Sequence, residues 1–478
     1  MSEVRVRFAP SPTGNLHAGN IRTALLNWIF AKQQNGVLIL RIEDTDQDRH
    51  VIGSEEGIAA DLNWLGIEWS EGPDVGGEFG PYRQSERLEI HREYAERLSR
   101  EGRAYKCYCS EEELKKEREK ALANGLPPRY NGKCKDISDE EERKKISEGI
   151  EPVLRFKVRE GEVSFVDLIK GEISWNLSNI GDFIILRSNR TPSYNFAVVI
   201  DDALMKISHI IRGDGHVSNT PRQLLIYEAL GFKVPKFAHT PTILNKDKKT
   251  LSKRHGALSV RHYREEGYIP EALVNYLSLL SWSSKSGDDI LSIERIINEF
   301  SFSRMSSSSA VFDDDKLLWM NGQYIRALED EELMKLSLPI LEKSGFTIQD
   351  LETTAKIIEA VKGNLTKMSD LPQFAELFYR SEVEPDGAAE RELIERKESK
   401  QVFNRFIDGI EEYEEISAKD FKEIMKKVQN ETGIKGKNLW MPVRIALTGQ
   451  SHGPELPMLI EYFGKEEVVT RIKKVMGI

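Results

Sequence analysis

The chain has 478 residues, of which 39% are hydrophobic, with three cysteines and a formal net charge of −10. That length predicts roughly three or more domains of about 100–200 residues each, with enough apolar content for packed cores. The absence of a run of about 18 apolar residues, the Met-Ser-Glu-Val start without a secretory pattern and the odd cysteine count argue against a membrane span, a signal peptide and a secreted disulfide framework, so the expected compartment is the cytoplasm.

In chain order, Val4–Ala9 alternates as a strand. A Pro/Gly turn follows, then a helix whose apolar Ile21, Ala24, Leu25, Trp28 and Ile29 recur with helical period. A helix N-terminus after a Gly-containing turn is an anion site, because unpaired N–H groups and the helix dipole point at the ligand. Val37–Leu40 reads as a buried parallel strand. Asp44 and Asp46 lie at its carboxyl end, where open α/β sheets bind ligands. Residues 85–191 are more polar, with charged stretches at Glu111–Lys120 and Asp136–Lys145, and read as an insertion. Tyr194–Asp202 and Ile207–Gly213 are predicted to be strands rejoining the first sheet. From about residue 244 the pattern turns helical: Leu273, Tyr276, Leu277 and Leu280 mark one face, with Pro270 near its start and Ser306–Ser309 as a later loop. The last 150 residues read as helices, with a Phe421, Ile424, Met425, Val428 stripe and a capping box over Ser417–Asp420. Asp386-Gly-Ala-Ala is a boundary between two helical subdomains. Neither G-x-G-x-x-G nor a Walker motif occurs, so dinucleotide and P-loop enzymes fit poorly.

The acidic balance does not exclude RNA, since RNA affinity follows local clusters of Lys and Arg. Lys246, Lys248, Lys249, Lys253 and Arg254 form one such cluster; Lys422, Lys426, Lys427, Lys435 and Lys437 form another.

Two distant signatures carry a family resemblance. His17-Ala18-Gly19-Asn20 resembles the HIGH motif of class I aminoacyl-tRNA synthetases, and Leu251-Ser252-Lys253-Arg254 resembles their KMSKS loop. Arg7-Phe-Ala-Pro-Ser-Pro-Thr-Gly14, Arg41-Ile-Glu-Asp-Thr-Asp46, Gly80-Pro-Tyr-Arg-Gln-Ser-Glu-Arg87 and Met441-Pro-Val-Arg-Ile-Ala-Leu-Thr-Gly449 are similar to glutamyl-tRNA synthetases of the bacterial type. The resemblance implies an α/β Rossmann-like class I core with an α+β insertion, followed by an all-α anticodon-binding region. Its expected parts are core halves at 1–84 and 192–243, an acceptor-stem insertion at 85–191, a stem-contact domain at 244–326, and helical anticodon subdomains at 327–385 and 386–478. The implied reaction is ATP-dependent activation of L-glutamate, with Mg²⁺ accompanying ATP, and transfer to tRNA(Glu) or tRNA(Gln). A monomer is expected, as is a need for bound tRNA during activation.

By the same resemblance, His17, Asn20 and Lys253 are catalytic. Pro10, Thr13, Gly14, His17, Gly19, Asn20, Leu251, Ser252, Lys253 and Arg254 hold ATP. Arg7 and Arg212 pair with the carboxylates of glutamate, Glu43 and Ser11 hold its amino end, and Tyr194 closes the pocket. Arginine suits the task because its planar fork binds a carboxylate bidentately.

All three cysteines, Cys107, Cys109 and Cys134, fall within one segment. Many relatives bind zinc at the matching place through a Cys-x-Cys pair, a later Cys and a fourth residue. Here the fourth ligand is Tyr130 or Asp136, and a structural Zn²⁺ is expected in the insertion.

Three departures stand out. Thr250 occupies the place where the KMSKS-like loop normally begins with Lys. The family's Arg-Gly-Glu-Asp-His run reads Arg212-Gly213-Asp214-Gly215-His216, one carboxylate short. No Arg occurs in Lys362–Lys367, near where relatives that reject tRNA(Gln) place an anticodon-reading Arg. Thr250 and Gly215 leave a non-catalytic tRNA-binding paralogue as the alternative to the enzyme, and the stretch without Arg points to relaxed or tRNA(Gln)-directed charging.

Overall fold

A computed structural model describes residues 3–14, 16–46, 51–125, 127–251, 259–348, 350–380 and 383–478. It divides into two compact units, one of Met1–Tyr263 with Leu273–Asp313 and one of Arg264–Ala272 with Asp314–Ile478. The 244–326 segment contributes to both.

The first unit opens with β1 (Arg5–Phe8), α1 (Ala18–Gln33) and β2 (Val37–Leu40), and β1 pairs parallel with β2 from Arg5↔Val37 to Phe8↔Leu40. All four β1 side chains are buried, Arg5 and Arg7 included, because β1 lies inside the fold and Ser208 donates its N–H to Arg5 O at 2.9 Å. Gly36 makes the α1–β2 connection possible. Its N–H donates to Ala31 O at 2.8 Å, and a Cβ built there would lie 2.3 Å from Val4 O. Gly36→Ala is therefore expected to push β2 off β1 at a cost of about 1–3 kcal/mol. Thermal denaturation checks this, and an unchanged midpoint would contradict the close approach.

After α2 (Ser54–Trp64) comes the polar stretch 85–191, which includes α3 (Leu88–Arg100). It holds β3 (Ala104–Cys107), α4 (Glu111–Ala123), α5 (Asp139–Ser147), β4 (Val153–Phe156), β5 (Glu162–Asp167), β6 (Gly171–Asn176) and β7 (Phe183–Leu186). The two charged stretches form α4 and α5, which bury no residue and are started by capping boxes at Ser110 and Ser138. β3, β4 and β7 make an antiparallel sheet.

The next element corrects the sequence reading: Tyr194–Leu204 is a helix, α6, not a strand. Its run Phe196–Asp202 is buried all round. A helix enclosed on every side loses its 3.6-residue stripe, and a short β-branched apolar run then looks like a buried strand. The strand expected at Ile207–Gly213 is present as β8 (His209–Gly213), followed by α7 (Thr220–Leu230) and β9 (Lys236–Thr240). The resulting sheet has the order β6-β5-β9-β8, with β5, β9 and β8 parallel. Asn27 of α1 donates to Ile211 O at 3.0 Å, fixing α1 against β8. β10 (Ile243–Leu244) pairs with β11 (Ala310–Val311), and α8 (Val260–Glu265), α9 (Pro270–Leu279) and α10 (Ile293–Glu299) complete the order up to Asp313.

The second unit is helical, from α11 (Asp314–Ala327) to α19 (Leu456–Met476), without a named strand among its described residues. Phe421, Ile424, Met425 and Val428 are buried in its core, as their spacing predicts. The capping box is formed too, with Ser417 Oγ accepting from Asp420 N at 3.3 Å.

Candidate active site

The chain leaves β1 through a turn tied to its neighbours. Phe8 O accepts from Arg41 N at 3.0 Å and Pro10 O accepts from Glu43 N at 3.0 Å, so the turn and the end of β2 advance together. Pro12 O takes the Ser54 hydroxyl at 2.9 Å. Gly14 sits at φ 112°, a conformation that favours glycine. His17 then caps α1 in extended backbone without a side-chain hydrogen bond to the helix N–H groups. A Cβ on Gly19 would meet only the ring of His17, at 3.4 Å, so the first turn of α1 needs glycine for no internal reason.

Arg7, Ser11, Glu43, Tyr194 and Arg212, the side chains expected to hold the amino acid, line one cleft of about 300 Å³. Pro10, Thr13 and Asn20 from the expected nucleotide set line it as well. Thr23 and His216 also line it and were not assigned from sequence. Thr23 lies four residues after Gly19 on α1, a spacing that could have suggested it. Leu251 donates its N–H to Ile243 O at 2.9 Å. Ser252, Lys253 and Arg254 lie outside the described residues.

The cleft's charges are unequally paired. Asp202 of α6 accepts from Arg7 Nε at 3.1 Å and from Arg41 Nη1 at 2.7 Å, while Arg41 Nη2 reaches Glu43 at 3.2 Å. Burial opposes the ionisation of Asp202, but Arg7 and Arg41 outweigh it and hold the carboxyl below its ordinary range. Burial pushes Glu43 up, with Arg41 and Arg7 acting against it.

Arg212 is buried without a carboxylate partner among the described residues. Its Nε donates to His239 Nε2 at 3.1 Å, and its Nη2 donates to Thr220 Oγ1 and Gln223 Oε1, both at 2.8 Å. Its Nη1 is buried and has no hydrogen-bond partner among the described residues. Burial lowers its guanidinium, the signature of a cation short of compensation. Tyr194 Oη lies 3.1 Å from His216 Nδ1. Burial first, then Glu43, raises the Tyr194 phenol to about 12. Burial first, then Arg212, lowers His216 to about 4. Two guanidiniums and a carboxylate thus meet in one desolvated cleft, suited to a ligand carrying two anionic groups and an ammonium.

Two residues beyond Arg212, Asp214 accepts from Thr242 Oγ1 at 2.6 Å and from Thr242 N at 3.2 Å. A Cβ on Gly215 would meet nothing within 4 Å, so crowding does not explain the missing carboxylate there. Thr250 bridges to Leu244 across a tight hairpin in which Lys248 adopts φ 61°. Lys246, Lys248 and Lys249 are exposed at that hairpin, as are the five lysines of the C-terminal cluster.

The three cysteines converge: their sulfurs lie within 4.8 Å of one another, with Cys109 Sγ 3.5 Å from Cys134 Sγ. Tyr130 Oη is 3.4 Å from Cys107 Sγ and 3.5 Å from Cys109 Sγ, and accepts from Cys134 N at 2.9 Å. Arg155 stacks over the Tyr130 ring at 4.0 Å. Asp136 is exposed and is not in this cluster. In the second unit, Arg326 of α11 reaches Gly363 O at 3.4 Å. The short stretch without an arginine of its own is therefore met by one from a distant position.

Comparison with known proteins covers nearly the whole chain. Residues 3–319 match the family described as tRNA synthetases class I (E and Q), catalytic domain, and residues 332–476 match the anticodon binding domain. The glutamate–tRNA ligase of Carboxydothermus hydrogenoformans is 48% identical, over 99% of this chain and 100% of its own. That of Bacillus subtilis is 46% identical with the same coverage. A crystal structure of a glutamate tRNA ligase from Elizabethkingia meningosepticum, in complex with its amino acid, superposes with a TM-score of 0.89 at 33% identity, covering 100% of this chain and 99% of that one. No helix among the described residues is long and apolar enough to cross a membrane.

Proposed function

The chain belongs to the class I tRNA synthetases and, within them, to the glutamate–tRNA ligases; from that premise we propose that its cleft activates L-glutamate with ATP and passes the glutamyl group to tRNA(Glu). Arg7 and Arg212 bind the two carboxylates of the substrate, Glu43 and Ser11 hold its ammonium, and Tyr194 covers it. The α-carboxylate oxygen forms a bond to the α-phosphorus of ATP and pyrophosphate leaves. The terminal ribose hydroxyl of the tRNA then attacks the activated carbonyl and AMP leaves. The first step brings anions together and moves charge onto the leaving group, so positioning and electrostatic stabilisation carry the catalysis. His17 donates to the phosphates at the start of α1, beside Asn20, Pro10, Thr13 and Gly14. Gly19 lets the nucleotide approach the backbone, and the Leu251-Ser252-Lys253-Arg254 motif supplies Lys253 to the charge of the triphosphate. Mg²⁺ enters with ATP, held by phosphates and water.

The observation that carries this reading is Arg212, a buried guanidinium with no carboxylate partner among the described residues, in a cleft shared with Arg7 and Glu43. A non-catalytic tRNA-binding paralogue would have no use for such a pocket. In the same reading the insertion takes the acceptor stem, 244–326 touches the stem, and 327–385 with 386–478 take the anticodon, in a cytoplasmic monomer. Charging of tRNA(Glu) and tRNA(Gln) transcripts side by side, with ATP and Mg²⁺, tests it. Charging of tRNA(Glu) is the expected result, and the ratio of the two reads out discrimination. Binding of both transcripts without charging of either would overturn the proposal.

The cysteine cluster fits a structural zinc. Tetrahedral ligands about 2.3 Å from the ion lie roughly 3.8 Å apart, close to the sulfur separation seen. Cys107, Cys109, Cys134 and Tyr130 would hold it, and the ion would favour the ionised thiols and phenol that burial alone resists. The purified chain is expected to carry about one zinc per molecule, and Cys134→Ser to lose it. Metal analysis decides this, and a zinc-free, fully stable wild type would remove the zinc from the proposal.

A further inference from the structure

We propose that Asp167 and His239 are positioning residues for Arg212, holding its guanidinium in the cleft by fixing His239 in the tautomer whose Nε2 accepts. The proposal rests on the reading of the cleft as the glutamate site and deepens it.

The geometry leaves one assignment of protons. Arg212 Nε can only donate, so His239 Nε2, 3.1 Å away, must accept. The ring proton then sits on Nδ1, which lies 2.6 Å from Asp167 Oδ2, and a carboxylate there can only accept. Asp167 is itself held in place. It also accepts from the backbone N–H of His239 at 3.0 Å, and from those of Ile169 and Lys170 at 2.9 Å each. All three side chains are buried, with His239 at 0%, Asp167 at 2% and Arg212 at 5% exposure.

The sheet builds this chain. Arg212 of β8 and His239 of β9 are register partners, so their side chains share a face, and β5 ends at Asp167 beside Phe237 of β9. Asp167 comes from the 85–191 insertion, and Arg212 comes from the second half of the core. The insertion therefore supplies the group that orients an amino-acid-binding residue. Gln223 and Thr220 hold Nη2, so Nη1 is the guanidinium nitrogen left for a ligand. An Arg tilted by a wrong tautomer would lose that direction, because Nε–H facing Nε2–H sets two donors against each other.

The test is aminoacylation by the full chain with tRNA, ATP and Mg²⁺, reading KM for glutamate and KM for ATP separately. D167N offers an amide N–H to Nδ1 and drives the ring to the opposite tautomer. It is expected to raise KM for glutamate by about tenfold or more while KM for ATP stays within about twofold. H239L removes the acceptor and should do the same. H239Q, whose amide can accept from Arg212 and donate to Asp167, should recover most of the loss. Unchanged glutamate KM in D167N and H239L would overturn the proposal. So would equal losses in H239L and H239Q, or parallel rises in both KM values with a lowered melting temperature, which mark a structural role. If D167N fails to fold, the His239 pair carries the test. Arg212→Met separates the two levels. If it leaves glutamate KM unchanged, the reading of the cleft fails. If it raises KM while D167N and H239L do not, only the positioning role fails.

Discussion

Arg212→Met is expected to lower kcat/KM for glutamate by about 30-fold to several thousand-fold, since removing one partner of a buried charged contact costs about 2–5 kcal/mol. Thermal stability should hold or rise. Both expectations come from the same fact: this guanidinium is buried beside neutral acceptors, without a described carboxylate. In the ligand-free chain its charge is desolvated for little return, so methionine of similar length removes a cost. The price is three acceptors, His239 Nε2, Thr220 and Gln223, each losing a donor worth about 1 kcal/mol. These opposing effects are close in size, and the melting temperature should move little. On the proposed reading the balance reverses with substrate, whose carboxylate would supply the missing anion. Glutamine should gain relative to glutamate in this variant, since a neutral amide no longer faces a cation it cannot satisfy. Glutamate and glutamine charging rates beside a melting curve read all three effects. A large drop in melting temperature would mean that Arg212 is a structural cation.

What the sequence made legible was local. Val37–Leu40 is a strand with the bounds its apolar run suggested, and the Phe421 stripe and Ser417 box stand where their spacing put them. The family motifs named Arg7, Ser11, Glu43, Tyr194 and Arg212, and the fold gathers these scattered positions into one cleft. Periodicity failed at α6, where burial on every side erased the stripe that distinguishes a helix. The supporting partners were not legible either. Asp202 lies 195 residues from Arg7, Asp167 lies 72 residues from His239, and Arg326 lies 37 residues from Gly363. No local spacing encodes such pairs, because they depend on which strands become neighbours.

Asp202→Asn is expected to behave as the opposite of Arg212→Met, losing about 3–5 kcal/mol of stability along with glutamate affinity. Asp202 is 1% exposed at its side chain and serves two arginines, Arg7 at 6% and Arg41 at 0%. Both arginines donate to the same oxygen, Oδ1, so an amide oxygen there can still accept from each but carries no charge to set against them. Two buried guanidiniums would then lose the charge that lies between them, and breaking a buried pair in this way leaves charge without compensation. The bond at Arg7 Nε would weaken from a carboxylate acceptor to a neutral amide oxygen, so glutamate KM should rise with the loss of stability, where Arg212→Met separates the two. The acid limb carries the same sign. Asp201, beside Asp202 on α6, is opposed by burial, but His91, Arg41 and Arg87 outweigh it and bring the carboxyl from 3.8 down to about 2. Asp202 is lowered as well. A carboxyl depressed in the folded state contributes stability in full above its ordinary value and loses it as pH falls through the folded value. Stability of the wild type should therefore fall as pH drops from 3.8 towards about 2. Asp202→Asn should start lower at neutral pH and fall less across that window, because one of the two carboxyls that take up a proton is gone. Denaturant unfolding at a series of pH values measures both. A variant as stable as the wild type at neutral pH would show that Arg7 and Arg41 do not depend on Asp202.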